Sequence, residues 1–255
     1  MKIAYQGIQG AYSHKALEQI EGEKVGLPTF HDVYEAVSSG KVDLGLLPIE
    51  NSLIGTIYET IDLLAGGDLK IVGEIIIKID HCLLALPGAK IQKVLSHPKA
   101  LAQCTRFFKA HPEWEIVPHY DTAGAAHDIA MSGDRTVGAI ASEAAAKEYG
   151  LEIIQRNVQD HEQNYTRFFL ISKTGTSGNK GSLCFTLDHA PGKLVEMLDQ
   201  FAKAGMNLTH IVSRPIPGKP FEYLFYVDLE GPQEGLKKIK AKYLGSYETI
   251  SHRRH

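Results

Sequence analysis

Residues 164–168, with the sequence NYTRF, carry side chains that could bind and transform an anionic substrate. The planar guanidinium of Arg167 can grip a carboxylate through two parallel hydrogen bonds. The neighbouring hydroxyl of Thr166 could donate a hydrogen bond to a reacting or leaving oxygen. Both residues immediately precede the apolar run 168–171, so we expect them at a strand start, after a loop over 159–165. From spacing alone, Arg167 could equally be a surface arginine in a loop that binds no ligand.

Three serines offer hydroxyl groups near predicted strand ends. Ser13, Ser52 and Ser96 each follow or approach such an end, where a serine can act either in catalysis or as a helix N-cap. We expect Ser13 and Ser96 to cap helices, with Pro98 in the first turn of the second one. The chain has no GxSxG nucleophile elbow.

Metal, dinucleotide and nucleic-acid chemistry are disfavoured. The twelve histidines are scattered without ligand spacing, and the three cysteines are widely separated, so we expect reduced, buried thiols and no metal site. Gly7 and Gly10 lack the third glycine of a dinucleotide fingerprint. A net charge of −3 and a pI near 6.5 argue against a nucleic-acid partner.

Composition indicates a globular protein of the cytoplasm. Hydrophobic residues make up 44% and charged residues 22% of the 255 residues, which suffices for one large domain or two ordinary ones. The first residues lack the apolar core of a signal peptide, and no apolar stretch approaches the roughly 20 residues of a membrane span. We therefore expect no membrane association.

Strands and helices alternate through the first two thirds of the chain. Several of the predicted strands run directly into Ser, Thr or Asn at a helix start. This order predicts an α/β sheet covered on both faces, with a ligand beyond the carboxyl ends of the strands. Strands are predicted at 2–5, 44–49, 82–86, 93–95, 137–140 and 168–171, and helices from about 13, 57, 96, 122 and 142.

A second unit follows a linker at residues 173–180, which is rich in Gly, Ser, Thr and Lys. Its pattern is βαββαβ, which predicts an antiparallel sheet with both helices on one face. Exposed sheet edges in so small a unit favour pairing with a second copy. Strands are predicted at 182–187, 208–213, 223–229 and 247–250, and helices at 194–204 and 233–243, before a solvated tail at 251–255.

Four motifs in order resemble those of bacterial prephenate dehydratases, and the resemblance spans nearly the whole chain. They lie at residues 5–13, at 48–52 with 55–56, at 96–98 with 100–104, and at 164–168. Lys99 stands where glutamine is common in that family. The C-terminal unit resembles an ACT domain, although Lys193 and Val212 stand where alanine and glutamate are usual.

The resemblance implies an α/β fold with a two-lobed, periplasmic-binding-protein-like catalytic domain at residues 1–173. A ferredoxin-like ACT domain would occupy residues 181–255. The implied reaction converts prephenate to phenylpyruvate by loss of carbon dioxide and water, needs no metal or cofactor, and is regulated by phenylalanine. Arogenate dehydratase and a non-catalytic amino-acid sensor are the alternatives. A homo-oligomer, dimer or tetramer, is implied.

The resemblance also assigns site residues. Thr166 would hydrogen-bond the leaving hydroxyl and Arg167 would anchor a carboxylate. Neutral donors would come from Asn51, Ser52 and Asn164, with Glu50 orienting its neighbours. Substrate binding would add Ser13, Ser96, His97 and Phe168. The effector would bind between neighbouring subunits at Gly192, Leu194, Val195, Asn207, Leu208, Ser213 and Arg214.

Overall fold

The computed structural model describes residues 1–234 and 239–250, which form three β-sheets and their covering helices. Within these residues, no helix has the length and apolar character needed to span a membrane. The strands are β1 Lys2–Gln6, β2 Glu23–Leu27, β3 Leu44–Asn51, β4 Gly55–Thr56, β5 Lys70–Lys78, β6 Cys82–Ala85, β7 Lys93–Ser96, β8 Glu115–Pro118, β9 Val137–Ala141, β10 Glu152–Gln155, β11 Tyr165–Ser172, β12 Lys180–Thr186, β13 Asn207–Pro215, β14 Tyr223–Glu230 and β15 Lys242–Tyr247. The helices are α1 Tyr12–Ala16, α2 Phe30–Ser38, α3 Tyr58–Gly66, α4 Pro98–Ala102, α5 Thr105–Lys109, α6 Thr122–Ser132, α7 Glu143–Tyr149 and α8 Lys193–Lys203.

The first lobe is built on the sheet β2-β1-β3-β11-β5, with β4 paired to β3. β1 runs parallel to β2 and β3, whereas β11 runs antiparallel to β3 and β5. This arrangement places Thr166 opposite Asn51 and Arg167 opposite Glu50. Thr166 and Arg167 were expected at a strand start, and they are the second and third residues of β11, paired with β3 on one side and β5 on the other. The strand begins earlier than predicted, at Tyr165.

The second lobe is built on the sheet β10-β6-β9-β7-β8 and carries α4 to α7. The chain leaves the first lobe after β5 and returns to it through β11, so the two lobes are joined by two crossings. The α/β class and the two-lobed arrangement predicted from the sequence are confirmed.

Neither of the two predicted serine N-caps is found in the structure. The helix predicted from about residue 142 is capped by Ser142, whose hydroxyl accepts a hydrogen bond from Ala145 N at 3.0 Å. Ser96 does not cap α4, because its hydroxyl donates to Ile140 O at 2.6 Å and His97 takes the cap position. Ser13 lies inside α1 and donates to the Gln6 carbonyl at 2.5 Å. In both cases the serine hydroxyl donates its proton to a carbonyl oxygen outside the helix.

The C-terminal unit, from Lys180 onward, contains the antiparallel sheet β13-β14-β12-β15 and the helix α8. The predicted helix over 233–243 was wrong at its end, because Lys242 begins β15, which pairs with β12. The last strand was also misplaced, since it ends at Tyr247. Part of the predicted helix, residues 235–238, and the tail, residues 251–255, lie outside the described residues.

The C-terminal unit and the first lobe share one apolar core. Cys184, Tyr226 and Leu244 are buried in the same cluster as Ile61 and Leu64 of α3. Phe169 of β11 packs edge-on against the ring of Tyr247, with 5.3 Å between ring centroids. The sequence suggested a separate unit beyond a linker, but this unit is packed directly on the strand that carries the predicted site.

Candidate active site

A cavity of about 370 Å³ lies between the two lobes. The first lobe contributes side chains from the ends of β1, β3 and β11, and the second contributes residues at the start of α4 and α6. The lining combines apolar side chains with polar groups that converge on the cavity and could orient a small molecule. It comprises Gln6, Tyr12, Ser13, Phe30, Pro48, Asn51, Ile54, Ile57, Ile79, His81, His97, Lys99, Ala100, Gln103, Tyr120, Asp121, Thr122, Thr166 and Phe168.

The hydroxyl of Thr166 is oriented by Asn51. Asn51 Oδ1 accepts the backbone N–H groups of Leu53 and Ile54, each at 3.0 Å, so the orientation of its amide is fixed. Its Nδ2 therefore points the other way and donates to Thr166 Oγ1 at 3.0 Å. No acceptor for the hydroxyl proton of Thr166 lies within hydrogen-bond distance among residues 1–234 and 239–250. The proton is free to point into the cavity.

The same amide starts a hydrogen-bonded chain that connects the lobes. Asn51 Nδ2 donates to Asn164 Oδ1 at 2.8 Å, and Asn164 Nδ2 donates to Gln103 Oε1 at 2.9 Å. Gln103 Oε1 also lies 2.9 Å from His81 Nε2. Because that oxygen can only accept, the proton of His81 sits on Nε2 and Nδ1 is an acceptor. Tyr12 Oη lies 2.8 Å from both His81 Nδ1 and the Asp80 carbonyl oxygen, so its single proton is shared between these two acceptors. Backbone donors beside Asn51 thus set the direction of the whole chain.

Charge in the cavity comes from few groups. Burial lowers the pKa of His81, and partial burial together with nearby Lys99 lowers the pKa of His97. Both imidazoles are therefore neutral at pH 7. Among the described lining residues, Lys99 carries the positive charge and Asp121 the negative one. Lys99 lies in the first turn of α4, and Asp121 is the N-cap residue of α6.

Arg167 does not line the cavity. Its side chain projects from the face of β11 opposite to Thr166, toward the C-terminal unit, and stacks over Phe169 at 5.2 Å. Its guanidinium contacts Asp228 at 2.6 Å, Glu74 at 3.1 Å and Glu50 at 3.2 Å. Burial alone would lower the pKa of Arg167, but Asp228 and Glu74 raise it above its ordinary value. The expected role as a substrate anchor disagrees with this placement.

The three carboxylates around Arg167 join the first lobe to the C-terminal unit. Burial alone would raise the pKa of Asp228, but the His210 imidazole, whose Nδ1 lies 3.5 Å from the carboxylate, and the charge of Arg167 lower it to about 2. Glu74 also pairs with Lys180 at 2.7 Å. We call this buried group of ion pairs the junction cluster; it consists of Glu50, Glu74, Arg167, Lys180, His210 and Asp228.

The structure brings together part of the predicted substrate site. Ser13, His97 and Phe168 line the cavity beside Thr166, as the motifs suggested. The side chain of Ser96 is fully buried against β9. Ser52 is exposed outside the cavity, where its hydroxyl accepts from Tyr165 N and donates to Gln163 O.

Several polar residues of the cavity escaped the sequence reasoning, among them Gln103, Tyr12, Asp121 and His81. Gln103 lies within a quoted motif, but only the fold shows that it bridges Asn164 and His81. Tyr12 belongs to the first motif, and Asp121 precedes a predicted helix. His81 carried no signal, because a histidine before an apolar strand is unremarkable by itself. Within residues 1–234 and 239–250, no three His, Cys, Asp or Glu side chains are placed to hold a metal ion.

The predicted effector residues fall into two places. Leu194 lines a cavity of about 410 Å³ beside Gly192, between the start of α8 and the end of β14 nearest Tyr223. Arg214 lies elsewhere, paired with Asp62 of α3 and stacked 4.6 Å over the ring of Tyr58. The remaining residues lie on α8, where Val195 is exposed, and on edge strand β13, namely Asn207, Leu208 and Ser213.

The sequence of this chain is similar to known prephenate dehydratases and arogenate dehydratases. A model of the prephenate dehydratase family matches residues 3–176. A chloroplastic protein of Arabidopsis thaliana, arogenate dehydratase/prephenate dehydratase 2, is 43% identical over 250 residues. That alignment covers 90% of this chain and 65% of the plant protein, so the chain spans slightly less than two thirds of that relative.

Two solved structures resemble the whole chain. The prephenate dehydratase of Arthrobacter aurescens, solved in complex with L-Phe, is 30% identical with a TM-score of 0.87 and covers 97% of this chain and 90% of that one. GqqA, described as a novel type of quorum quenching acylase, is 33% identical with a TM-score of 0.87 and covers 100% of both chains.

Proposed function

The chain belongs to the prephenate dehydratase family, and from this premise we propose that it converts prephenate to phenylpyruvate. The observation that carries the proposal is the Thr166 hydroxyl, which lies in the interlobe cavity, accepts from Asn51 and keeps its own proton free. A donor of this kind suits a reaction in which an oxygen departs with negative charge.

The reaction requires one carbon–carbon and one carbon–oxygen bond to break. As the ring carboxylate leaves as carbon dioxide, its bonding electrons enter the ring, which becomes aromatic and expels the hydroxyl group. Thr166 donates a hydrogen bond to that departing oxygen, which takes a proton to become water. The Asn51 amide holds the threonine oxygen in place. Because a threonine hydroxyl is a very weak acid, stabilisation of the developing hydroxide is its main contribution.

Turnover of prephenate by the purified chain tests this proposal directly. Thr166→Ala is expected to lower kcat by roughly 10²–10⁴-fold, the range found for a lost proton donor. Thr166→Ser keeps the hydroxyl and is expected to retain more activity. Phenylpyruvate formation is the measurement, and unchanged circular dichroism spectra are the folding control. Wild-type kcat in the alanine variant would overturn the role of Thr166.

Arogenate is the second candidate substrate, because Asp121 lines the cavity. Arogenate bears an ammonium group where prephenate has a keto oxygen, and a carboxylate near the side chain would attract it. The plant relative named for both activities supports including it. The ratio of kcat/KM for the two substrates decides between them. If arogenate is used, Asp121→Asn should lower kcat/KM for arogenate and leave kcat/KM for prephenate nearly unchanged.

Two further activities are outcomes of the same experiment. A non-catalytic amino-acid sensor would form no phenylpyruvate and no phenylalanine from either substrate. Because one structural relative is described as a quorum quenching acylase, release of an acyl group from an acylated substrate is assayed as well. Acyl release without prephenate turnover would replace the proposed function.

We further propose that phenylalanine binds the C-terminal unit and that the protein is a cytoplasmic homo-oligomer. Support comes from the cavity beside Leu194, from the position of β13 at the edge of its sheet within the described residues, and from the relative solved with L-Phe. Regulation requires that phenylalanine bind one conformation more tightly than the other. Light scattering with and without phenylalanine, alongside inhibition of turnover, tests this. A monomer that responds to phenylalanine would contradict the intersubunit site.

A further inference from the structure

We infer that Lys99 binds the side-chain carboxylate of the substrate, the carboxylate that remains in the product. This inference rests on the proposed function and deepens it. Prephenate carries two carboxylates, and Arg167, the residue whose sequence context suggested an anchor, is held by three carboxylates outside the cavity. The cavity must therefore supply its cation from another residue.

Lys99 has the position that such a residue requires. It lies in the first turn of α4, lines the interlobe cavity from the second lobe and faces the lobe that carries Thr166. It also lines an adjoining opening bounded by Leu53 and His161. The lysine therefore stands where a substrate enters, while Thr166 is nearly buried.

The ammonium group of Lys99 has no carboxylate partner within the described part of the chain. Other lysines near carboxylates do form pairs, such as Lys93 with Glu115 at 2.8 Å. The remaining basic side chains of the cavity, His81 and His97, are neutral at pH 7. Lys99 is thus the described lining residue that can meet an anion with full positive charge.

Chemistry decides which of the two carboxylates it binds. The ring carboxylate loses its charge as it leaves, so a cation beside it would stabilise the starting state more than the transition state. The side-chain carboxylate keeps its charge throughout. A lysine beside it strengthens binding of substrate, transition state and product equally, and therefore affects KM without affecting kcat.

Lys99→Gln, a neutral side chain of similar reach, is the test variant. A charge-assisted hydrogen bond contributes about 1.5–3 kcal/mol, which corresponds to roughly 10–150-fold, and exposure of the lysine favours the lower end. We expect KM for prephenate to rise about 10-fold with kcat within about threefold of wild type. Lys99→Arg keeps the charge and should restore most of the affinity.

Product inhibition gives a second readout. Phenylpyruvate retains the side-chain carboxylate and lacks the ring carboxylate, so its inhibition constant should rise by the same factor as KM in Lys99→Gln. Lys109→Gln is the matched control, because it removes the same charge from an exposed position on the same lobe, outside the cavity. It should behave as wild type.

The outcomes separate this inference from the proposed function. If the wild-type chain turns over neither prephenate nor arogenate, the proposed function fails and the inference falls with it. If turnover is present but KM and the inhibition constant are unchanged in Lys99→Gln, only the role of Lys99 fails. A rise in kcat together with KM, without a change in product inhibition, would place the lysine at the ring carboxylate and overturn the assignment.

Discussion

Replacing Arg167 by methionine distinguishes a structural arginine from a substrate anchor. The substitution keeps the length of the side chain and removes the charge that faces Asp228 and Glu74, whose side chains are only 3% and 1% exposed. Glu74 keeps Lys180 as a partner, but Asp228 loses its contact at 2.6 Å. A buried carboxylate is thus left without its main countercharge.

Removing one partner of a buried ion pair costs about 3–5 kcal/mol. For a chain of this length each kcal/mol lowers Tm by about 2–4 °C, so Arg167→Met should lower Tm by roughly 6–20 °C. Thermal unfolding followed by circular dichroism measures this. Arg156→Met is the matched control, because Arg156 pairs with Glu143 at the surface, where a pair contributes at most about 1 kcal/mol.

A double variant identifies the source of the loss. If the cost arises from the uncompensated charge of Asp228, then Arg167→Met combined with Asp228→Asn should be less destabilised than the sum of the single variants. The substrate affinity of properly folded Arg167→Met, measured well below its Tm, should change little. An unaltered Tm together with a large rise in KM would refute the structural role.

Three other outcomes follow from the site and the core. Asn51→Asp keeps the acceptor for the backbone N–H groups but replaces the donor to Thr166 with a second acceptor, which draws the Thr166 proton away from the cavity. We therefore expect kcat to fall on the order of 10²-fold. A wild-type kcat would contradict the orienting role of Asn51. Burial raises the pKa of the Cys104 thiol to about 12, so the reactive thiolate is scarce at pH 8. A thiol reagent at pH 8 should therefore modify Cys104 no faster than the protein unfolds. Rapid labelling of the native protein would contradict the burial of Cys104. The lowered pKa of Asp228 stabilises the folded protein above pH 4, and this stabilisation is lost as the pH falls toward 2. Urea unfolding should show a loss of about 2 kcal/mol in the free energy of unfolding over this range. The same loss in Asp228→Asn would show that other groups cause it.

The alternation of strands and helices predicted the α/β class, and the four motifs predicted part of the cavity lining. Asn51 and Thr166 are 115 residues apart in sequence, yet both were expected at the site, and β3 and β11 pair them directly. Their motif context carried that information. Short apolar runs correctly predicted the buried middle of several strands, such as β3, where residues 45–49 of the predicted strand are buried in the sheet.

Failures arose where distant groups override local preference. Ser13 and Ser96 have the local context of N-caps, but carbonyl groups from other elements accept their hydroxyl protons. Arg167 has the local context of an anion site, but its partners come from β3, β5 and β14. Residues 242–243 continue a helix-like pattern, yet pairing with β12 makes them a strand. Such partners cannot be read from a short window of sequence.

Alternation along β11 has a consequence for how this segment can evolve. Thr166 and Phe168 point into the cavity, whereas Arg167 and Phe169 point toward the C-terminal unit. A one-residue insertion or deletion here would exchange the two faces, removing the hydroxyl from the substrate and burying an arginine in the cleft. Single substitutions can be tolerated one face at a time, but a change of length disables both faces at once. Homologous chains should therefore vary in residue type along this strand before they vary in spacing.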